Sequence, residues 1–176
     1  FIDGIPSQLE AAKYAEMVAQ EIALPLRLGG HSKGGNLAIW ASAHLSQSHQ
    51  DRIINIYSND APGFIENFLK APYYLEIRER ILSFVPESSI VGVLMEHDTY
   101  TTICSSSASI LQHNPFSWLI SGKHFVYDDT RTLSGMQFDK IINSWIKSMS
   151  VEEREELIDN IYEIVTSSDA KTLEDL

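Results

Sequence analysis

The sequence predicts an α/β fold in which helices flank a mostly parallel sheet, and two observations indicate it. Short apolar runs alternate along the chain with longer segments whose apolar residues recur at helical spacing. The apolar runs end in Gly, Pro, Asn or Asp, which are the residues that form tight turns. The chain has 176 residues, of which 44% are hydrophobic, so it is long enough to bury a core. We therefore predict a single domain over residues 1–176.

The predicted elements begin with a helix, a strand and a second helix. Ser7 is expected to cap the first helix, because Glu10 stands at the capping-box spacing, and this helix should end near Ile22. The next expected elements are a strand at 24–28, a helix at 34–45, strands at 52–57 and 81–85, and a helix at 65–80 with a break at Pro72. Short strands are expected near 101–104 and 124–127, a loop or short helix at 88–96, and two tail helices, one at 134–149 and one that begins at Ser150 with Glu153 as its capping-box partner.

Charge and composition exclude several classes of function. The formal net charge of −11 argues against binding to a nucleic-acid backbone. The single cysteine, Cys104, excludes an internal disulfide bond and a multi-cysteine zinc site. No run of about twenty apolar residues is present, so we expect no membrane span. The lone cysteine fits a reducing compartment, and we expect a cytoplasmic protein.

The segment Gly30-His31-Ser32-Lys33-Gly34 has the pattern G-x-S-x-G and stands between a predicted strand and a predicted helix. This placement puts Ser32 on a sharp turn with an exposed hydroxyl, as expected of a nucleophile, and the flanking glycines are expected to leave room for the turning backbone. The N–H of Lys33 then points to where an oxyanion forms, at the positive end of the following helix. His31 is expected to point away from Ser32 and to have a structural role. The alternative is a glycine-rich turn that only packs or holds a phosphate.

This segment resembles the nucleophile elbow of lipase-like α/β-hydrolases, in which Gly-His-Ser-x-Gly-Gly is usual. The chain resembles more closely an uncharacterised bacterial family of lipase-like α/β-hydrolases with a Gly-His-Ser-Lys-Gly-Gly elbow. Three later segments carry this resemblance: Asp-Ala-Pro-Gly-Phe at 60–64, Ser-Ser-Ile-Val-Gly at 88–92 and Gln-His-Asn-Pro-Phe-Ser-Trp at 112–118. The resemblance implies an α/β-hydrolase-type fold, a Ser-His-Asp triad and a small-molecule or lipid ester as substrate, without a metal or other cofactor.

The triad members of this fold follow one another as Ser, then Asp or Glu, then His. The base is therefore expected among the histidines that follow the acid. The resemblance favours His113, and His97 is the alternative. The acid is expected to be Asp60, at the end of the strand after the nucleophile helix, and Glu87, after the next strand, is the alternative. The acid holds the imidazole in one tautomer and stabilises the imidazolium.

We predict a serine esterase or lipase-like hydrolase that acts on a carboxylic ester. The main alternative is a non-catalytic, hydrolase-like binding module that keeps the turn but lacks the geometry of a triad. Phe116, Trp118 and the apolar run at 90–95 are expected to line an acyl pocket or to belong to the core. One helix and one strand precede Ser32, so we expect the chain to be the C-terminal part of the full fold. Without earlier strands it should lack one oxyanion donor, hydrolyse esters weakly and associate with itself.

Overall fold

The computed structural model describes residues 4–128 and, further along the chain, residues 141, 144, 145, 148–150, 153 and 156. The chain divides into two compact units, Phe1–Arg131 and Thr132–Leu176. The single domain expected over residues 1–176 stays a prediction.

The first unit is built on a four-stranded sheet with the order β1-β2-β3-β4. Its strands are β1 Leu26–His31, β2 Ile53–Asn59, β3 Ile81–Pro86 and β4 Thr101–Ile103. All three pairings are parallel, and the register places His31 beside Asn59 and Asn59 beside Phe84. The carboxyl ends of these strands therefore meet at one edge of the sheet. Helices flank the strands, which confirms the predicted α/β fold with a mostly parallel sheet.

Two long helices precede and follow β1 in the chain. They are α1 Pro6–Glu21 and α2 Lys33–His44, and shorter helices follow at α3 Gln47–Gln50, α4 Glu66–Leu69 and α5 Pro72–Leu75. Helix α2 packs on α1, β1 and β2, and its alanines allow the close approach. Burial of apolar side chains between these layers stabilises the unit. The aromatic members of this core are Trp40, Phe64, Phe68 and Tyr74, and its isoleucines are Ile39, Ile53, Ile56 and Ile77.

The first helix begins earlier than expected. Ile5 is the N-cap residue, and Pro6 occupies the first helical position, which suits proline because of its fixed φ and its missing N–H. The Ile5 N–H donates to Oε1 of Gln8 (3.1 Å), so the capping contact from the third helical residue is made by Gln8. Ser7 lies inside the helix, and the expectation that it caps the helix was wrong.

The segment expected to be a broken helix at 65–80 consists of three short pieces. Helix α4 ends at Leu69, Pro72 begins α5, and a 3-10 turn at Arg78–Arg80 leads into β3. Proline has no N–H to donate, so a proline inside a helix costs one hydrogen bond. The break therefore falls at Pro72, as predicted.

The strand expected near 124–127 does not extend the main sheet as a fifth strand. Residues His124–Phe125 form β6, which pairs antiparallel with β5 Ile120–Ser121 across a turn that contains Gly122 at φ 64°. Tyr127 forms only an isolated antiparallel bridge to Ile103 of β4. The tight turn at Gly122 places β6 beside β5, so β6 pairs with β5 and not with a strand of the main sheet.

In the second unit, the described residues Ile141, Ser144, Trp145 and Ser148 are helical, and Met149 forms a bend. The other residues of the helix expected at 134–149 lie outside the described residues. The Ser150 N–H donates to Glu153 Oε2 (2.6 Å), and the Glu153 N–H donates to Ser150 Oγ (3.2 Å). This reciprocal pair is the predicted capping box. None of the described helices combines the length and apolarity that a membrane span needs.

Strand β1 has a neighbour on one side only in the described part of the chain. An open strand edge can pair with another copy, and the self-association expected from it stays a prediction.

Gly30 packs so closely against the start of α2 that a side chain is excluded. A Cβ at this position would lie 2.3 Å from the carbonyl carbon of Gly34. A Cβ at Gly34 would meet no atom within 4 Å beyond its own helix and its neighbours in the chain. The expectation that a flanking glycine leaves room for the turning backbone is therefore right for Gly30 and wrong for Gly34.

Gly30→Ala should destabilise the protein by about 1–3 kcal/mol, which is the usual cost of overpacking. Gly34→Ala is the matched control and should leave the stability unchanged or raise it by up to about 1 kcal/mol, because alanine favours helices. Urea denaturation followed by circular dichroism measures both free energies of unfolding. Equal stabilities of the two variants would contradict the packing argument.

Candidate active site

Ser32 lies on the turn between β1 and α2 in a backbone conformation that residues with side chains rarely adopt. Its φ is 55° and its ψ is −131°. Two backbone hydrogen bonds hold the turn: the Ser32 N–H donates to the Asn59 carbonyl (2.9 Å), and the Ser32 carbonyl accepts from the Gly35 N–H (3.0 Å). Such strain persists only where the surroundings enforce it, and it is common at functional sites. Ser32 is partly exposed, so its side chain is accessible.

Lys33 follows as the first residue of α2, and its side chain is exposed. The first N–H groups of a helix have no partner within the helix, and no backbone hydrogen bond in the described part of the chain uses the Lys33 N–H. The helix start also carries a partial positive charge. This N–H can therefore donate to an oxygen that bears negative charge next to Ser32.

Asp60 directly follows β2 and is completely buried, with 0% of its surface exposed. Its φ is 48°, a region that Asp tolerates better than most residues, and its N–H donates to the Phe84 carbonyl (2.8 Å). Both carboxylate oxygens have partners: Oδ2 lies 2.7 Å from Nδ1 of His113, and Oδ1 accepts from the hydroxyl of Ser89. The structure therefore brings the expected acid and the expected base into direct contact.

His113 ends a 3-10 turn, Ser109–His113, in the long connection after β4. The contact with Asp60 means that Nδ1 carries the proton, since a carboxylate only accepts hydrogen bonds. The loop is held by its neighbour Gln112, whose Oε1 accepts from the Ser88 N–H (2.8 Å) and whose carbonyl accepts from Nε1 of Trp118 (2.8 Å). Side-chain contacts thus hold the loop of the base against the rest of the site.

His31 precedes Ser32 in the chain and contacts His113. Its Nε2 lies 2.7 Å from the carbonyl oxygen of His113, so Nε2 is the protonated nitrogen, and the two imidazole rings are 4.4 Å apart between centroids. The end of β1 and the loop after β4 are joined through this contact. His31 therefore links the segment that carries Ser32 to the segment that carries His113.

The three expected members of the triad meet at the carboxyl edge of the sheet, but only two are hydrogen-bonded to each other. Asp60 and His113 form a pair, whereas the Ser32 hydroxyl forms no hydrogen bond in the part of the chain that the structure describes. In the same part of the chain, no group of three or more His, Cys, Asp or Glu side chains is placed to hold a metal ion.

The two alternative residues have other surroundings. Glu87 is partly exposed, and its negative charge acts on the thiol of Cys104. His97 packs against Gly63, where a Cβ would come within 2.9 Å of its ring, and its ring meets the edge of Tyr100 at 5.8 Å between centroids. The pairing of acid and base seen here joins Asp60 and His113.

The aromatic residues that follow the base differ in environment. Trp118 is buried, and its indole nitrogen donates to the loop backbone, so it belongs to the support of that loop. Phe116 is 95% exposed, so it does not belong to the core. The alternative of a core position is therefore right for Trp118 and wrong for Phe116, and the acyl-pocket role of Phe116 stays a prediction.

Three residues that the sequence motifs contain, but to which no role was assigned, contact the acid or hold the base. They are Ser89 and Gly92 in the segment 88–92, and Gln112 in the segment 112–118. The motifs were the available signal. A motif does not say which partner a side chain meets, because these contacts join segments more than twenty residues apart.

Comparisons with known proteins identify a family. A model of the Mbeg1-like family matches residues 1–163, which is most of the chain. No curated protein and no solved structure gives a significant match.

The reactivity of the Cys104 thiol tests whether the charge of Glu87 acts on it. Burial raises the pKa of the Cys104 thiol, and the negative charges of Glu87 and Asp128 raise that pKa further. Glu87→Gln removes one of these charges, so the pKa should fall and the thiolate fraction at pH 8 should increase. We expect alkylation by iodoacetamide to become about two- to threefold faster.

Glu79→Gln is the control, because Glu79 is an exposed carboxylate paired with Arg78 and does not affect the thiol pKa. An alkylation rate that Glu87→Gln leaves unchanged would contradict the position of Glu87 beside Cys104.

Proposed function

The chain belongs to the Mbeg1-like family, and we propose that it is a serine hydrolase that acts on a carboxylic ester. The family description names no reaction, so the proposal rests on the geometry of the site. The observation that carries it is the buried Asp60–His113 pair at the sheet edge where Ser32 lies on a strained turn. Small-molecule and lipid esters both fit this proposal.

In the proposed reaction, Ser32 Oγ attacks the ester carbonyl while Nε2 of His113 takes its proton. Asp60 holds Nδ1–H of His113, which leaves Nε2 free to accept, and its charge stabilises the imidazolium that forms. The Lys33 N–H donates to the oxyanion of the tetrahedral intermediate. The imidazolium then protonates the departing alcohol, and a water molecule, activated in the same way, releases the acid from Ser32.

The proposal includes an α/β-hydrolase-type sheet. In that fold the nucleophile lies on a strand-to-helix turn, and the acid and the base follow it in that order. Here Ser32 lies between β1 and α2, Asp60 follows β2, and His113 follows β4. The order of the parallel strands and the convergence of the three residues at one edge support this assignment.

A non-catalytic, hydrolase-like binding module is the second candidate. The observation that favours it is that the Ser32 hydroxyl has no hydrogen bond to His113 among the described residues. In free enzymes the hydrogen bond between nucleophile and base is often long and tightens when substrate binds. A buried carboxylate that holds a histidine in one tautomer serves proton transfer, so we retain the hydrolase as the first candidate.

Ser32→Ala should abolish labelling by a fluorophosphonate probe without unfolding the protein, because Ser32 is partly exposed and contributes little packing. Labelling is measured by gel fluorescence and located by mass spectrometry. Ser88→Ala removes a hydroxyl from an exposed serine and should label like the wild type. Labelling of Ser32→Ala at the wild-type rate would exclude Ser32 as the nucleophile.

The acid and base can be ranked by turnover of a short activated ester. His113→Ala should reduce kcat by at least about a hundredfold, since loss of the base removes most of the activation of the nucleophile. His97→Ala should have a far smaller effect, and Asp60→Asn should cost more than Glu87→Gln. A reversed order in either pair would transfer the role to His97 or to Glu87.

A further inference from the structure

We infer that Ser89 is a positioning residue of this site: it fixes the carboxylate of Asp60 so that Oδ2 faces Nδ1 of His113. This inference rests on the proposed function, because it assigns a role to the residue that supports the acid. In the described part of the chain, the hydrogen bonds of Ser89 go to Asp60, Gly92 and Pro86 and not to His113 or Ser32, so it acts through Asp60.

The hydrogen bonds of Ser89 leave its hydroxyl one direction in which to donate. Its Oγ accepts from the Gly92 N–H (2.9 Å), and its own N–H donates to the Pro86 carbonyl (3.1 Å). A serine hydroxyl has one proton to give, and here that proton goes to Oδ1 of Asp60. Ser89 is 4% exposed, so water does not replace this contact.

Gly92 provides the space for the carboxylate. A Cβ at this position would lie 2.2 Å from Oδ1 of Asp60 and 2.8 Å from Cγ1 of Val85. Any other residue would push the carboxylate away from its place. Ser89 and Gly92 thus determine the position of the same oxygen, one by a hydrogen bond and one by the absence of a side chain.

The same segment also holds the base. The Ser88 N–H donates to Oε1 of Gln112, the residue before His113. Residues 88–92, between β3 and β4, therefore contact the acid through Ser89 and Gly92 and the loop of the base through Ser88. This arrangement gives a physical reason for the Ser-Ser-Ile-Val-Gly sequence, which the proposed reaction by itself does not use.

Loss of the Ser89 hydroxyl affects the chemical step more than substrate binding. The terminal torsion of an aspartate side chain has broad energy wells, so the carboxylate can rotate when Oδ1 loses its donor. Rotation weakens the contact of Oδ2 with His113, and the imidazolium that forms during the reaction loses stabilisation. A hydrogen bond to a charged group contributes enough free energy that its loss should lower kcat about 10- to 100-fold. KM should change less than about twofold, because Ser89 is not expected to contact the substrate.

The test compares two buried serines in the full chain. Ser89→Ala removes the hydroxyl that reaches Asp60. Ser42→Ala is the matched control, because Ser42 is fully buried in α2 and donates only to the Ala38 carbonyl of its own helix (2.7 Å). Each change is also made together with Asp60→Asn, and kcat and KM are measured with p-nitrophenyl acetate.

The second measurement does not depend on activity. The proton on Nδ1 of His113 should give a low-field proton NMR signal, because a hydrogen bond to a carboxylate deshields it. Ser89→Ala should shift this signal upfield or abolish it, and Ser42→Ala should leave it unchanged. If Ser89→Ala does not fold, Ser89→Cys fills the site with a slightly larger side chain that is a weaker donor, and it should change the signal in the same direction.

The inference is supported if Ser89→Ala lowers kcat at nearly constant KM, shifts the signal, and costs less than about twofold when Asp60 is already Asn. It is overturned if kcat and the signal stay at their wild-type values. It is also overturned if the loss is as large beside Asp60→Asn as in the wild type. A wild-type protein without esterase activity overturns the proposed function, and the NMR signal then decides the role of Ser89 by itself.

Discussion

Moving an ionised carboxylate from water into a protein interior costs several kcal/mol unless charge and hydrogen bonds oppose that loss. Asp60 meets this condition at 0% exposure, with His113 on one oxygen and Ser89 on the other. Its partners come from the connections after β3 and after β4, while Asp60 itself follows β2. The burial of one group therefore ties three connections together, and a change in any of them leaves a buried charge poorly satisfied.

The parallel sheet makes this convergence possible. Parallel strands have their carboxyl ends at one edge, so the residues that follow β1, β2 and β4 meet there although they are distant in sequence. Backbone hydrogen bonds set the spacing: the Ser32 N–H binds the carbonyl that ends β2, and the Asp60 N–H binds a carbonyl of β3. Because strand backbones deform little, the rigid part of the site is the pair of positions Ser32 and Asp60. The strained φ angles at both residues are sustained by this framework.

The base is held in a different way. His113 lies in a connection that consists of short 3-10 turns, and these have few backbone hydrogen bonds of their own. The loop is fixed by polar contacts from outside it: His31 binds the carbonyl of His113, Ser88 binds Gln112, and Asp60 binds the imidazole. Together these contacts give the ring one orientation. Ser32 and Asp60 are therefore held by the strand framework, whereas the position of His113 depends on side chains.

The sequence alone determined the local parts of this protein. The strand and helix order, the break at Pro72, the capping box of Ser150 and the turn at Ser32 follow from propensities and short-range geometry, which act within a few residues. Asp60 and His113 were predicted from chain order and from a resemblance. Local pattern alone did not exclude the alternatives, Glu87 for the acid and His97 for the base. The hairpin at 120–125 was missed because its strands are only two residues long.

Only the tertiary structure decided which side chains meet. The contact between Asp60 and His113 spans 53 positions, and the contact between Ser89 and Asp60 spans 29, so neither leaves a periodic trace in the sequence. Local pattern likewise does not reveal that the charge of Glu87 acts on Cys104, although Glu87 follows a strand just as Asp60 does. The spacing of apolar residues encodes which face of an element is buried. It does not encode which polar group lies across the interface, since that depends on the register of strands and on the path of loops in three dimensions.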